Sequence, residues 1–202
     1  MADLAAGLEQ RIDQAKRLGA RFLVCASPRP PVPIDPHRDW VAAIGEAMTL
    51  DAWKANAAEL ARMAPVVAAA GLRFAYHNHP MEFRDFGGVS GYDILLGAVP
   101  ADLLRLEIDL GWVAASGRDP VQVLKAHTGR VDLLHVKDMV ADPAAPTGYR
   151  SVELGAGMID WRSVFRAAGA AGIQGFFVEQ EPPYRRPVLE SLGISADYLR
   201  GI

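Results

Sequence analysis

The chain has one cysteine, Cys25, among its 202 residues. No internal disulfide framework can form, and the expected role of Cys25 is a small core residue in a reducing compartment. No apolar run reaches the length of a membrane span. The opening Met1-Ala2-Asp3 lacks the basic-then-apolar layout of a secretory signal, so the expectation is a cytoplasmic protein without a membrane partner. An excess of basic charge is also missing. Lys and Arg number 21 against 24 Asp and Glu, for a net charge of −3, which argues against nucleic acid or an anionic membrane surface as the main partner. There is no low-complexity segment, no short repeat and no local metal motif.

Half of the residues are apolar, enough for a sizeable core, and the length favours one domain over residues 1–202. Leu4, Leu8, Ile12, Ala15 and Leu18 recur at helical spacing and predict an amphipathic helix from Ala2 to Leu18, closed by Gly19. Arg21 to Ala26 reads as a buried strand, followed by a proline-rich loop to Asp39. Helices are expected from Trp40 to Met48 and, capped by Thr49, from Leu50 to Ala70. Pro65 should kink or split the second of these. Leu72 to Tyr76 and Leu103 to Leu110 read as strands, with a helix capped by Ser90 between them. Asp119-Pro120 opens a helix to about His127. The strand Val131 to Val136 is followed by a polar loop from Asp138 to Ser151. A helix from Trp161 to Ala170 capped by Asp160, the strand Gly175 to Glu179 and a helical tail from Pro187 complete the pattern. Five repetitions of strand then helix mean an α/β fold with a parallel sheet covered by helices.

Active sites of parallel α/β sheets lie at the carboxyl ends of the strands. Four consecutive strands here end in polar pairs on one face: His77 with His79, Glu107 with Asp109, His135 with Lys137, and Glu179 with Glu181. If the strands curl into a barrel, the inward members converge. An interior holding His, Asp, His and Glu is costly unless a cation or hydrogen bonds satisfy it. Two imidazoles and two carboxylates suit Mn²⁺, Zn²⁺, Co²⁺ or Fe²⁺ better than an all-oxygen Ca²⁺ cage. Glu82 lies in the loop after the second strand, where it could equally do no more than solvate that loop. Trp112 could wall a sugar site by stacking or belong to the core. Gly155-Ala156-Gly157 resembles a phosphate-cradling loop, and a tight turn before the Asp160 cap explains it equally well.

The stretches Tyr76-His77-Asn78-His79-Pro80-Met81-Glu82-Phe83, Glu107-Ile108-Asp109-Leu110-Gly111-Trp112, Leu134-His135-Val136-Lys137-Asp138-Met139, Gly155-Ala156-Gly157-Met158-Ile159-Asp160-Trp161 and Phe177-Val178-Glu179-Gln180-Glu181 together resemble the sugar phosphate isomerase/epimerase group of the xylose-isomerase-like TIM barrels (the AP endonuclease 2-like superfamily). The similarity is to the subgroup with a Tyr-His-Asn-His motif. It implies a (β/α)8 barrel and one divalent metal (Mn, Zn, Co, Mg or Fe) held by Glu, Asp, His and Glu from the last four strands. Asp109, His135 and Glu179 match three of these ligands. The first falls at His77, with Glu82 as the alternative. A complete barrel of this kind has about 250 residues or more. The matches correspond to its strands 4–8, so an incomplete barrel lacking the first three strands is expected. Such a barrel exposes strand edges that invite pairing, a homo-oligomer included.

The resemblance implies a sugar or keto-sugar isomerase or epimerase that moves a proton through an enediolate. Glu179, His79 and Lys137 would be catalytic, and Trp112, Glu82, Glu107 and Glu181 would contact a small-molecule sugar. The alternatives are a metal-dependent dehydratase or lyase resembling inosose dehydratase, or a catalytically impaired remnant that only binds ligand.

Overall fold

The computed structural model describes every residue from Met1 to Ile202. By contact density the chain divides into two units, Met1–Glu107 and Ile108–Ile202.

In the first unit the expected amphipathic helix is broken once. Gly7, the poorest non-proline helix former, interrupts it, leaving α1 (Ala2–Ala6) and α2 (Leu8–Arg17). Strand β1 (Phe22–Cys25) follows. After the proline-rich loop, Asp39 accepts the Ala42 N–H to start α3 (Trp40–Ala47), and Thr49 accepts the Ala52 N–H to start α4 (Leu50–Ala69). Pro65 does not split α4, which runs unbroken for 20 residues. Met63, Ala64 and Val67 are buried around it, and that packing outweighs the hydrogen bond that proline removes. Strand β2 (Arg73–His77) lies parallel to β1, with Cys25 opposite Tyr76. A short 3-10 turn, Pro80–Phe83, leads to α5 (Gly91–Ala98), whose Ser90 and Asp93 form a reciprocal capping pair. Strand β3 (Arg105–Asp109) carries the chain across the division, and its first part pairs in parallel with β2, His77 opposite Glu107. The core of this unit gathers Trp53, Leu60, Met63, Val67, Phe74 and Leu95 between the helices and the sheet.

The second unit opens with α6 (Leu110–Ala115), a helix that the strand-like run Leu103–Leu110 does not foretell, and with α7 (Pro120–Ala126), capped by Asp119. Strand β4 (Val131–Val136) pairs in parallel with β7 (Gly175–Val178), His135 opposite Phe177. The stretch expected as a polar loop is an antiparallel hairpin, β5 (Asp138–Ala141) with β6 (Tyr149–Val152). Buried Met139 and Val152 give it an apolar face, which the polar tip of the segment hides from composition. Helix α8 (Trp161–Ala171) starts at its Asp160 cap and ends at Gly172 in the left-handed conformation. Helix α9 (Val188–Arg200) is tied back where Ser191 Oγ donates to Glu153 and the Leu154 N–H donates to Ser195.

Candidate functional site

The end of β2 is a buried polar knot. His77, Asn78, His79 and Glu82 are all buried. His77 Nδ1 lies 3.2 Å from Glu107 Oε1 on the neighbouring strand. The rings of His77 and His79 meet edge to face at 4.8 Å, and Trp40 meets His79 the same way. Trp40 carries no signal in the sequence that would single it out, because the loop and helix that bring it here are remote from β2. Glu82 has both oxygens engaged by its own surroundings: the Tyr76 hydroxyl donates to one at 2.8 Å and the His79 N–H to the other at 2.8 Å. With no cation among these partners, burial pushes its carboxyl up to about 8, the donors offsetting only part of the cost. Glu82 thus clasps the 3-10 turn that carries His79.

The second unit holds a charged cluster. Asp109 uses its two oxygens differently. Oδ1 accepts the Trp112 N–H at 2.8 Å and caps α6, while Oδ2 faces Lys137 Nζ at 2.9 Å and His135 Nδ1 at 3.7 Å. The close passage of α6 over the end of β4 requires Gly111, since a Cβ there would lie 2.7 Å from the Lys137 carbonyl oxygen. Glu179 Oε2 reaches both His135 Nδ1 (3.2 Å) and Lys137 Nζ (2.9 Å), and Glu181 Oε1 reaches Lys137 at 2.8 Å. The Lys137 side chain is wholly buried with its ammonium 4.7 Å over the Trp112 ring, so Trp112, itself buried, offers that face to the lysine.

Electrostatics follow from this geometry. Burial opposes charge on Lys137, but Asp109, Glu181 and Glu179 outweigh it and raise its proton affinity above the ordinary lysine range. Burial likewise opposes charge on His135, and the neighbouring carboxylates of Asp109 and Glu179 overcome it, pushing the imidazole up to about 10. For Glu179, burial is outweighed by His135 and Lys137, which hold the carboxyl well below its usual range. Glu181 moves the other way, because burial exceeds the help from Lys137. Asp109, His135 and Glu179 each offer one donor atom, all within 4.8 Å of one another. Ligands about 2.1 Å from one ion lie roughly 3–3.5 Å apart at right or tetrahedral angles, close to the separations His135 makes here. Three carboxyl groups around one ammonium leave a formal charge of −2 when the imidazole is neutral, which suits a divalent cation. On both counts the residues fit such an ion.

Beside this cluster, Asp138 accepts from the N–H groups of Met139 (3.0 Å), Gly155 (3.0 Å), Gly157 (3.1 Å) and Ile159 (3.3 Å) and from the Trp161 indole (2.9 Å). The amides that a phosphate would need in the Gly155-Ala156-Gly157 loop are taken by an internal carboxylate, which decides for a structural turn. Sequence reasoning passed over Asp138, whose signal was its place between Lys137 and the glycine pair downstream.

The sequence model of the xylose isomerase-like TIM barrel family matches residues 3–202. The chain belongs to this family. Its fold is that of an incomplete (β/α)8 barrel. Over 154 residues it is 27% identical to an inosose dehydratase of Geobacillus thermodenitrificans, covering 69% of this chain and 51% of that one. An inosose dehydratase of Lacticaseibacillus casei is 25% identical over 155 residues, covering 69% and 51%. The chain thus spans about half the length of the curated relatives it matches. A solved sugar phosphate isomerase/epimerase from Parabacteroides distasonis superposes with a TM-score of 0.75 at 24% identity, covering 100% of this chain and 68% of that one. The IolI protein with a bound zinc atom superposes at 0.64 with 15% identity, covering 98% and 68%. At these identities the structural likeness speaks for the fold alone. No helix of this family member is long and apolar enough to cross a membrane.

Proposed function

We propose that this protein, or the longer one it represents, is a metal-dependent sugar or keto-sugar isomerase or epimerase that transfers a proton next to a carbonyl. The observation that carries the reading is the cluster of Asp109, His135 and Glu179 donor atoms within 4.8 Å of one another around a buried lysine. These three residues would hold the ion, with His77 as the fourth ligand expected from the resemblance. A divalent ion there supplies Lewis acidity, polarising the substrate carbonyl and acidifying the neighbouring C–H. The zinc atom of the IolI protein supports this choice of cofactor class.

The chain's own groups have separable tasks. Glu179, whose side chain is 34% exposed, is the carboxylate that removes or returns the carbon-bound proton. Lys137 keeps its own proton tightly and therefore serves as a fixed positive charge and donor toward a developing oxyanion, not as a base. His79 would exchange a proton with a substrate hydroxyl. Glu107 and Glu181 would contribute to holding the sugar, whereas Glu82 does so only through the turn it clasps and Trp112, buried with its ring under the lysine, only by supporting Lys137.

A second reading is favoured by the curated relatives: loss of water from an inosose-like polyol ketone, which begins with the same proton removal. Incubation with Mn²⁺ and a panel of keto-sugars and inososes in D₂O tests both. Deuterium at the carbon next to the carbonyl without loss of mass supports the epimerase or isomerase. A product lighter by one water supports the dehydratase. Absence of both, in a preparation shown to bind Mn²⁺, leaves neither standing.

A further inference from the structure

The same two oxygens do double duty in the charged cluster. Asp109 Oδ2 and Glu179 Oε2 lie 3.7 and 3.2 Å from His135 Nδ1, and they are also atoms that hold Lys137 Nζ, at 2.9 and 2.9 Å. The ammonium has nowhere else to go. Its side chain is fully buried, its third carboxylate contact is Glu181 Oε1 at 2.8 Å, and the face of Trp112 closes it off at 4.7 Å. We infer that Lys137 is a tethered internal cation that sets the divalent-metal affinity of this site. It holds the ligand carboxylates turned inward before an ion arrives, and it weakens binding because the incoming ion must share its oxygens with an ammonium. This inference rests on the reading of Asp109, His135 and Glu179 as the metal-holding group.

Two physical effects point the same way. A fixed positive charge against the ligand oxygens repels a second cation, most strongly where no water screens it. Each oxygen that donates electron density to an N–H⁺ is also a poorer ligand. Against this stands the ordering role, since without Lys137 the buried Asp109 and the half-buried Glu179 and Glu181 lose their counter-charge and can turn away. The inference is that repulsion outweighs loss of order, so a residue that looks like part of the binding machinery acts to limit its affinity.

Mn²⁺ alone is the probe, its free concentration followed by electron paramagnetic resonance and its binding heat by calorimetry, on the purified chain. Lys137→Met and Lys137→Gln are expected to bind Mn²⁺ at least about tenfold more tightly than wild type, while Lys137→Arg, which retains the charge, should stay within about threefold of it. Weaker or unchanged binding in Met and Gln variants that keep the wild-type circular dichroism would overturn the inference. If both variants fail to fold, the wild-type protein still decides. Mn²⁺ or Zn²⁺ sharing these oxygens would alter the pull on the ammonium that lies over the Trp112 ring, and so should produce a change in indole emission that Trp112→Phe abolishes. An emission that does not move on saturation counts against the role of Lys137. The underlying metal reading has its own control, because Asp109→Asn and His135→Ala should each weaken Mn²⁺ binding by about a hundredfold or more. If they leave it intact, the site has been misassigned. If wild type and every Lys137 variant bind no Mn²⁺, both readings fail together.

Discussion

The end of β2 and the end of β4 look alike in the sequence, His-x-His in one and His-x-Lys in the other, each closing an apolar strand. Folded, they are opposites. At β2 the buried carboxyl of Glu82 has a phenol and an amide for company and no cation, so burial drives it toward its neutral form. At β4 the buried Asp109 and the half-buried Glu179 and Glu181 have Lys137 among them, and Glu179 stays ionised to well below the usual range. Burial alone does not set the charge of an acid; the donor beside it does. The first region is a structural clasp holding histidines in place, and the second stores charge that a metal or a reaction can use.

The largest effect expected from breaking this contrast is on chemistry. Glu179→Gln should lower solvent-deuterium exchange into an accepted keto-sugar by roughly 10²–10⁴-fold, whereas Glu82→Gln, which keeps the shape of the clasp, should cost less than about tenfold. Equal losses would erase the distinction between charge store and clasp. Next comes the metal: Asp109→Asn should weaken Mn²⁺ binding by about a hundredfold or more, since it removes a charged ligand and its tie to Lys137 together.

The two regions should also answer to pH with opposite signs. Glu82 has a raised pKa, so the folded state holds a proton that the unfolded chain releases above about 4.5. Its contribution to stability therefore falls as pH rises from the unfolded value toward about 8. Glu179 has a lowered pKa, so its contribution is present above the unfolded value and is lost as pH falls through the folded one. Denaturant titrations should show Glu82→Gln flattening the decline between about pH 5 and 8 by a few kcal/mol, with no change on the acid side. A variant that keeps the wild-type decline would remove Glu82 as its cause.

Smaller effects test the supports. A methyl at Gly157 would sit 2.1 Å from Asp138 Oδ1, so Gly157→Ala should cost about 1–3 kcal/mol by overpacking. It should also loosen the turn after β6 without touching the β2 clasp. Ser90→Ala removes the α5 cap and should cost about 1 kcal/mol in thermal or urea unfolding, with metal binding unchanged.

Much of the framework was legible beforehand. Ser90, Asp119 and Asp160 announced their helices because a short polar side chain placed before an apolar run satisfies free amides locally, whatever the rest of the chain does. The strand of Val131–Val136 was legible for a similar reason, a short valine and leucine run broken only by Asp132 and His135. Three features were not. Pro65 sits in an unbroken helix because neighbouring core contacts override a local rule, the hairpin β5–β6 depends on burial of Met139, and α6 begins where Asp109 turns one oxygen back to cap it.

By itself, the sequence determined the strand-then-helix order, the family and the residue types gathered at the strand ends, since all of these are set by local pattern and chemistry. Only the tertiary structure decided what those residues are to one another. It made Glu82 a clasp and Asp138 the anchor of the Gly155–Gly157 turn. It also set Lys137 against the same oxygens that face His135. The reason is that a side chain's charge and role depend on which donors lie within about 3 Å of it, and folding chooses those donors, from the adjoining turn for Glu82 and from segments far apart in the chain for Asp138 and Lys137.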